Sequence, residues 1–176
     1  MRVISGKYKG KKLEGFGIDG TRPTMDRVKE SLFGSIQNYV KDSVVLDLFA
    51  GSGSLGIESL SNGAASCYFC DNSKEAIKIL NKNLKNINNS YIIKKDYKDT
   101  LEELKNKNIK FDLIFLDPPY KLNLINDSIN KILEYNLLNK DGLIICEYEI
   151  EDIDCNLNLI KEKKYGTTYI KIYKNN

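Results

Sequence analysis

The chain has 176 residues, Lys+Arg 27 against Asp+Glu 24, a formal net charge of +3 and 41% hydrophobic residues. Such a length corresponds to one domain, large enough to bury a core without structural metals or disulfides. It has no histidine, which excludes Ser-His-Asp and Cys-His nucleophile systems, H-E-x-x-H metal sites and imidazole proton shuttles.

The small net charge conceals an asymmetry. Residues 1–30 carry 8 basic and 4 acidic side chains, residues 161–176 carry 5 and 1, and residues 31–160 carry 14 and 19. Basic ends around an acidic middle point to an anionic partner at the termini and a different use for the central carboxylates.

At the N-terminus, Gly6 and Gly10 bracket Lys7-Tyr8-Lys9, which predicts a short basic hairpin with strands near Arg2–Ser5 and Lys11–Leu13. A loop through Gly15, Gly17 and Gly20 follows, and Arg22-Pro23-Thr24 leads into a helix from about Met25 to Val40, with Val28, Leu32, Ile36 and Tyr39 at helical spacing. We divide the chain into this N-terminal extension, 1–40, and a main domain, 41–176.

Beyond residue 41 strands and helices alternate. Val44–Phe49 reads as a buried strand broken only by Asp47, and Gly51-Ser52-Gly53-Ser54-Leu55-Gly56 opens a helix that Asn62-Gly63 stops. Ser66–Cys70 is a strand, Ser73 begins a helix, Tyr91–Ile93 is a strand, and a charged helix spans about Lys98–Asn106. Phe111–Leu116 is apolar enough for burial on both faces. The prolines of Asp117-Pro118-Pro119-Tyr120 make it a rigid loop. A helix at about Leu124–Tyr135, a turn at Lys140-Asp141-Gly142, a strand at Leu143–Glu147 and a hairpin between Leu159 and Tyr173 complete the chain. This alternation predicts a doubly wound α/β sheet, mostly parallel, closed by an antiparallel hairpin.

Cys67 and Cys70 have C-x-x-C spacing, but on a strand they point to opposite faces, so we expect small buried hydrophobes and no metal. The N-terminus lacks an apolar stretch and no apolar run reaches the ~18 residues of a membrane span, so the expected location is cytoplasmic, without membrane contact.

Gly51, Gly53 and Gly56 form G-x-G-x-x-G between a strand and a helix, with Asp71 at the tip of the second strand placed to accept ribose hydroxyls. Alone, that pattern fits NAD, FAD or S-adenosylmethionine. A carboxylate inside the preceding strand, Asp47, would repel a diphosphate but suits an amino group and a sulfonium. Asp96 is placed either to accept from an adenine amino group or to cap a helix. At the switch point of such a sheet, Asp117-Pro118-Pro119-Tyr120 would face the glycine loop. Asp117 and the Pro118 carbonyl can accept the two hydrogens of an exocyclic amine, localising its lone pair, and Tyr120 offers a face for a flipped base.

Asp47 through Gly56, followed by Asp117-Pro118-Pro119-Tyr120, resembles the class I S-adenosylmethionine-dependent amino methyltransferases. Arg2-Val3-Ile4-Ser5-Gly6 and Thr21 through Phe33 resemble the N-terminal signature of the RsmD family, bacterial 16S rRNA guanine-N2 methyltransferases. The resemblance implies a class I methyltransferase, Rossmann-like, with seven strands, and methyl transfer to one guanine of 16S rRNA in the 30S subunit or its assembly intermediate, by a monomer. It implies cofactor binding by Asp47, Phe49, Gly51, Ser52, Gly53, Asp71 and Asp96, and catalysis by Asp117, Pro118, Pro119 and Tyr120. Lys7, Lys9, Lys11, Lys12, Arg22 and Thr24 are then candidates for RNA contact. The alternatives are an adenine-N6 methyltransferase on DNA or another RNA, a catalytically silent RNA-binding assembly factor, and an NAD-dependent oxidoreductase.

Overall fold

The computed structural model describes residues 1–16, 22–119, 124–149 and 152–176, with side chains in the first helix described from residue 26. The elements are α1 (Arg22–Val40), β1 (Val44–Asp47), α2 (Ser54–Ser61), β2 (Ser66–Cys70), α3 (Lys74–Asn83), β3 (Ser90–Ile93), α4 (Tyr97–Asn106), β4 (Phe111–Leu116), α5 (Leu124–Glu134), β5 (Leu138–Tyr148), β6 (Asn158–Tyr165) and β7 (Thr168–Lys174). The seven strands form one sheet of order β3-β2-β1-β4-β5-β7-β6. β1 to β5 pair in parallel, and β7 runs antiparallel to both β5 and β6.

Each central strand sends alternate residues into two cores, as period-2 geometry requires. On one face Val45, Phe69, Leu113 and Phe115 pack under Ile36 of α1, Ile57 of α2 and Leu80 of α3. On the other, Leu46, Ile114 and Leu116 meet Leu101 of α4 and Ile129 of α5. Cys67 lies in the first core and Cys70 in the second, and Cys146 is buried as well. No helix among the described residues is long and apolar enough to cross a membrane.

Three local differences from the sequence reading have physical causes. The N-terminal hairpin keeps one antiparallel bridge, Arg2 with Lys12, instead of two strands. Val3 N, Gly10 N and Leu13 N still donate across the hairpin, but Ile4 N and Ser5 N donate to Glu58, and Lys7 N donates to the Ser61 carbonyl. Helix α1 begins at Arg22 rather than Met25, since Pro23 in a first turn forfeits only an amide with no helical partner. The turn at Lys140-Asp141-Gly142 lies inside β5 as a bulge: Phe111 pairs with Leu138 but Leu113 pairs with Leu143, and Asp141 adopts φ 62°.

Glu58 ties the N-terminal segment to the sheet. Its side chain, fully buried in α2, accepts from Ile4 N at 3.0 Å, Ser5 N at 2.9 Å, Ser5 Oγ at 2.8 Å and Lys29 Nζ at 3.3 Å. Lys29, also buried, donates in addition to the Arg2 carbonyl at 2.7 Å. One carboxylate thus joins the N-terminal segment, α1 and α2, and Val3, Leu13, Leu32 and Phe33 enter the same core as β1. Replacing it by alanine leaves a buried ammonium and two amides without their acceptor. Glu58→Ala is expected to cost about 3–5 kcal/mol in urea unfolding at pH 7, with Glu58→Gln closer to the parent.

Candidate active site

Order reverses in the sheet between β1 and β4, and there a cleft of about 1190 Å³ opens beyond their C-terminal ends. In open α/β sheets this crevice is where ligands bind, because neighbouring connections leave in opposite directions. Asp47, Phe49, Gly51, Ser52, Asp71, Asp96, Asp117, Pro118 and Pro119 all line it. Tyr120 lies outside the described residues. Arg22 and Thr24 have their backbone in the first turn of α1, and their side chains lie outside the described residues.

Backbone conformation explains the glycines. Gly51 and Gly53 hold φ of +53° and +78°, a region that favours glycine. A Cβ on Gly53 would sit 2.6 Å from Leu80 Cδ2, and one on Gly56 would sit 2.3 Å from Phe69 Cε1. Those two positions therefore allow the turn and the close seating of α2 on β2; only Gly51 of the three lines the cleft.

The carboxylates are held from below. Asp47, buried at the end of β1, accepts from Gly56 N at 3.0 Å, which locks the strand to the first turn of α2. Asp71 accepts from Gly51 N at 2.9 Å through one oxygen, which braces the glycine loop, and from Ser73 N at 2.8 Å through the other, at the start of α3; the residue also lines the cleft. Of the two readings of Asp96, the cap is present: its side chain accepts from Lys98 N at 2.9 Å at the start of α4, and the residue also lines the cleft. Phe49 places its ring 5.5 Å from that of Tyr97. The Ser54 hydroxyl, at the N-terminus of α2, is buried with no hydrogen-bond partner while its residue lines the cleft.

Sequence reasoning missed Ser54, Lys29, Tyr97 and Glu147, which also line the cleft. Glu147 carries the signal that found Asp71 and Asp117, a carboxylate just where a buried apolar run ends. No sequence signal marks Ser54, since its importance lies in an unmet hydrogen bond. Among the described residues, no group of His, Cys, Asp and Glu is arranged to hold a metal ion.

The lysines proposed for RNA lie away from the cleft wall. Lys7 and Lys9 flank the hairpin tip, which packs against Ser61 at the C-terminal end of α2, about 10 Å along the helix from Ser54. Lys7, Lys9 and Lys12 are exposed, whereas Lys11 donates to the Lys85 carbonyl at 3.0 Å. The C-terminal basic cluster is largely engaged internally: Lys161 and Lys163 donate to Ser35 and Ser31 of α1, and Lys174 pairs with Asp141.

A family model described as "Conserved hypothetical protein 95" matches residues 1–174. The chain is 38% identical over 182 residues to ribosomal RNA small subunit methyltransferase D of Haemophilus influenzae, covering 99% of this chain and 94% of that protein. It is 32% identical over 179 residues to the Escherichia coli protein of the same name, covering 98% and 89%. Among solved structures, that of Escherichia coli yhhF superposes with a TM-score of 0.85 at 29% identity, covering 99% of this chain and 97% of that one.

Titration of the buried carboxylates follows from their surroundings. Burial first, then Glu147 and Asp47, pushes the Asp117 carboxyl well above the usual range. Asp47 rises from 3.8 to about 7, through burial and the Asp71 charge, against the opposing hydrogen bond from Gly56 N. Between those two values the folded chain holds a proton that the unfolded chain releases, so stability is lost as pH rises through about 7. Asp47→Asn removes that penalty and keeps an acceptor for Gly56 N. In thermal or urea unfolding, its advantage over the parent is expected to grow by at most about 3 kcal/mol from pH 5 to pH 8; equal advantage at both would overturn this reading of Asp47.

Proposed function

The chain belongs to the family described as "Conserved hypothetical protein 95", the RsmD family, and from that premise we propose that it methylates the 2-amino group of one guanine in 16S rRNA, using S-adenosylmethionine. The substrate is the 30S subunit or its assembly intermediate, and the protein acts as a monomer in the cytoplasm. One observation carries the reading: Asp47 and the Asp117-Pro118-Pro119 loop end neighbouring parallel strands and face a single cleft, with the glycine loop beside them.

The residues present fit S-adenosylmethionine. A buried carboxylate whose charge is costly, Asp47, matches the ligand's ammonium group. The partnerless Ser54 hydroxyl at the α2 N-terminus matches its carboxylate, which the helix dipole also favours. Asp71 would hold the ribose hydroxyls, and Phe49, Tyr97 and Asp96 would surround the adenine. When bound, the cofactor supplies an electrophilic methyl group on a sulfonium.

The chain's own residues prepare the nucleophile. A guanine 2-amino group is weakly nucleophilic because its lone pair is delocalised into the ring. Asp117 accepts one of its hydrogens and the Pro118 carbonyl the other, turning the lone pair toward the methyl group. The proton that methylation displaces from the amine would pass to the Asp117 carboxylate and then to water. Two consecutive prolines keep the carbonyl from rotating away, so rate comes from alignment and electrostatics. Tyr120 would stack on the flipped base. Exposed Lys7, Lys9 and Lys12, with Lys11, Arg22 and Thr24, would hold phosphates around it, the hairpin lysines at a distance from the reacting base.

Purified protein with labelled S-adenosylmethionine is expected to label 30S particles that lack the modification, and digestion is expected to release N2-methylguanosine. Recovery of N6-methyladenine, or label on duplex DNA, would overturn the guanine assignment. Asp117→Ala is expected to lower kcat/KM by about 10²–10³-fold or more while calorimetric binding of S-adenosylmethionine persists. Loss of both together would make Asp117 a structural residue.

A further inference from the structure

Glu147 is the penultimate residue of β5 and Asp117 follows β4, and nothing in the reaction described above uses Glu147. The ladder between these parallel strands pairs Leu116 with Cys146, so the next positions, Asp117 and Glu147, stand opposite each other about 4.8 Å apart along the hydrogen-bonding direction. Alternation puts both on one face: Phe115 and Ile145, two residues earlier on each strand, lie in the core formed by α1, α2 and α3. Both residues line the cleft. β7 fixes Glu147 from its other side through pairing with Ile170. Lys29, a cation lining the same cleft, directs its ammonium to Glu58 and the Arg2 carbonyl.

Two neighbouring carboxylates in a cleft that already contains Asp47 repel each other, and after burial that repulsion further raises the Asp117 carboxyl. Neighbouring N–H donors arriving together from a ligand would relieve it. Guanine presents such a pair on its Watson–Crick edge, the N1–H next to the 2-amino group. Adenine presents a lone pair at N1 next to its amino group, which would meet a carboxylate lone pair to lone pair.

We propose that Glu147 is a specificity-determining residue that accepts the guanine N1–H while Asp117 accepts from the adjacent 2-amino group. The inference rests on the guanine-N2 reading given above and extends it to the basis of base selection. Discrimination then has an attractive half, two matched hydrogen bonds, and a repulsive half, a carboxylate facing any base that lacks a proton at N1.

The probe that separates these is 2-aminopurine, which keeps the 2-amino group and has a lone pair at N1. Small-subunit particles are reconstituted with guanine or 2-aminopurine at the nucleotide that the labelling assay identifies, and methyl transfer is measured as kcat/KM for each. The parent chain is expected to prefer guanine by at least about 100-fold. Glu147→Gln can turn its amide N–H toward N1 of 2-aminopurine, and the preference is expected to shrink to within about tenfold, with calorimetric cofactor binding unchanged. Glu147→Ala, which removes the acceptor and supplies no donor, is expected to lose guanine activity and narrow the preference less than Glu147→Gln. Equal parent rates on the two bases would overturn the proposal without recourse to any variant. An unchanged preference in Glu147→Gln would overturn it as well. Failure of the parent to methylate guanine-bearing particles would instead overturn the guanine-N2 reading, and this inference with it.

Discussion

Parallel pairing of β1 with β4 is the constraint on which the rest of the molecule depends. These strands are 64 residues apart in sequence, counting from Asp47 to Phe111, yet they lie side by side with Asp47 in register with Phe115. Because parallel strands must be joined by crossovers, the chain leaves β1 through α2 on one face, and α4 and α5 cover the other face around β4. The divergence opens the cleft. The same pairing brings the glycine loop, Asp47 and the Asp117-Pro118-Pro119 loop to a single rim, so site and topology share one cause.

What fills that rim is negative charge. Asp47, Asp71, Asp96, Asp117 and Glu147 all line one cleft, and burial makes the ionised state costly for Asp47 and Asp117 in particular. A fold tolerates such a cluster where ligands bring compensating positive charge and N–H donors. A sulfonium, an ammonium group and the amino-bearing edge of a base meet that requirement together. Backbone amides do part of the same work in the protein itself, from Gly56 to Asp47 and from Gly51 and Ser73 to Asp71. The carboxylates are consequently aimed before any ligand arrives.

Glu58 has the opposite arrangement. It is as buried as any of them, but four donors from two separate segments, residues 4–5 and Lys29 of α1, satisfy it within the chain. The N-terminal extension is therefore docked on the main domain by a carboxylate that donors of the chain itself satisfy. Placing the exposed hairpin lysines at the far end of α2 follows from that docking, and makes the RNA footprint we propose longer than the cleft.

Most elements were legible in the sequence because their signals are local. β4 was exact at Phe111–Leu116, where six consecutive residues with a single interruption are buried on both faces, and the glycine loop announced the start of α2. The boundary errors came where a distant partner intervened: Glu58 took the Ile4 and Ser5 amides and so shortened the hairpin ladder, and Asn175, next to the C-terminus, hydrogen-bonded the bulge at Asp141 and Gly142. By itself the sequence determined the alternation of strands and helices, the glycines, the strand-tip carboxylates and the family, since all of these reside in contiguous residues or short spacings. The tertiary structure alone decided that Asp117 faces Glu147, that Ser54 is left without a partner, and that the lysines of both ends are not equivalent. Those depend on strand order, register and burial, which relate residues that no local pattern connects.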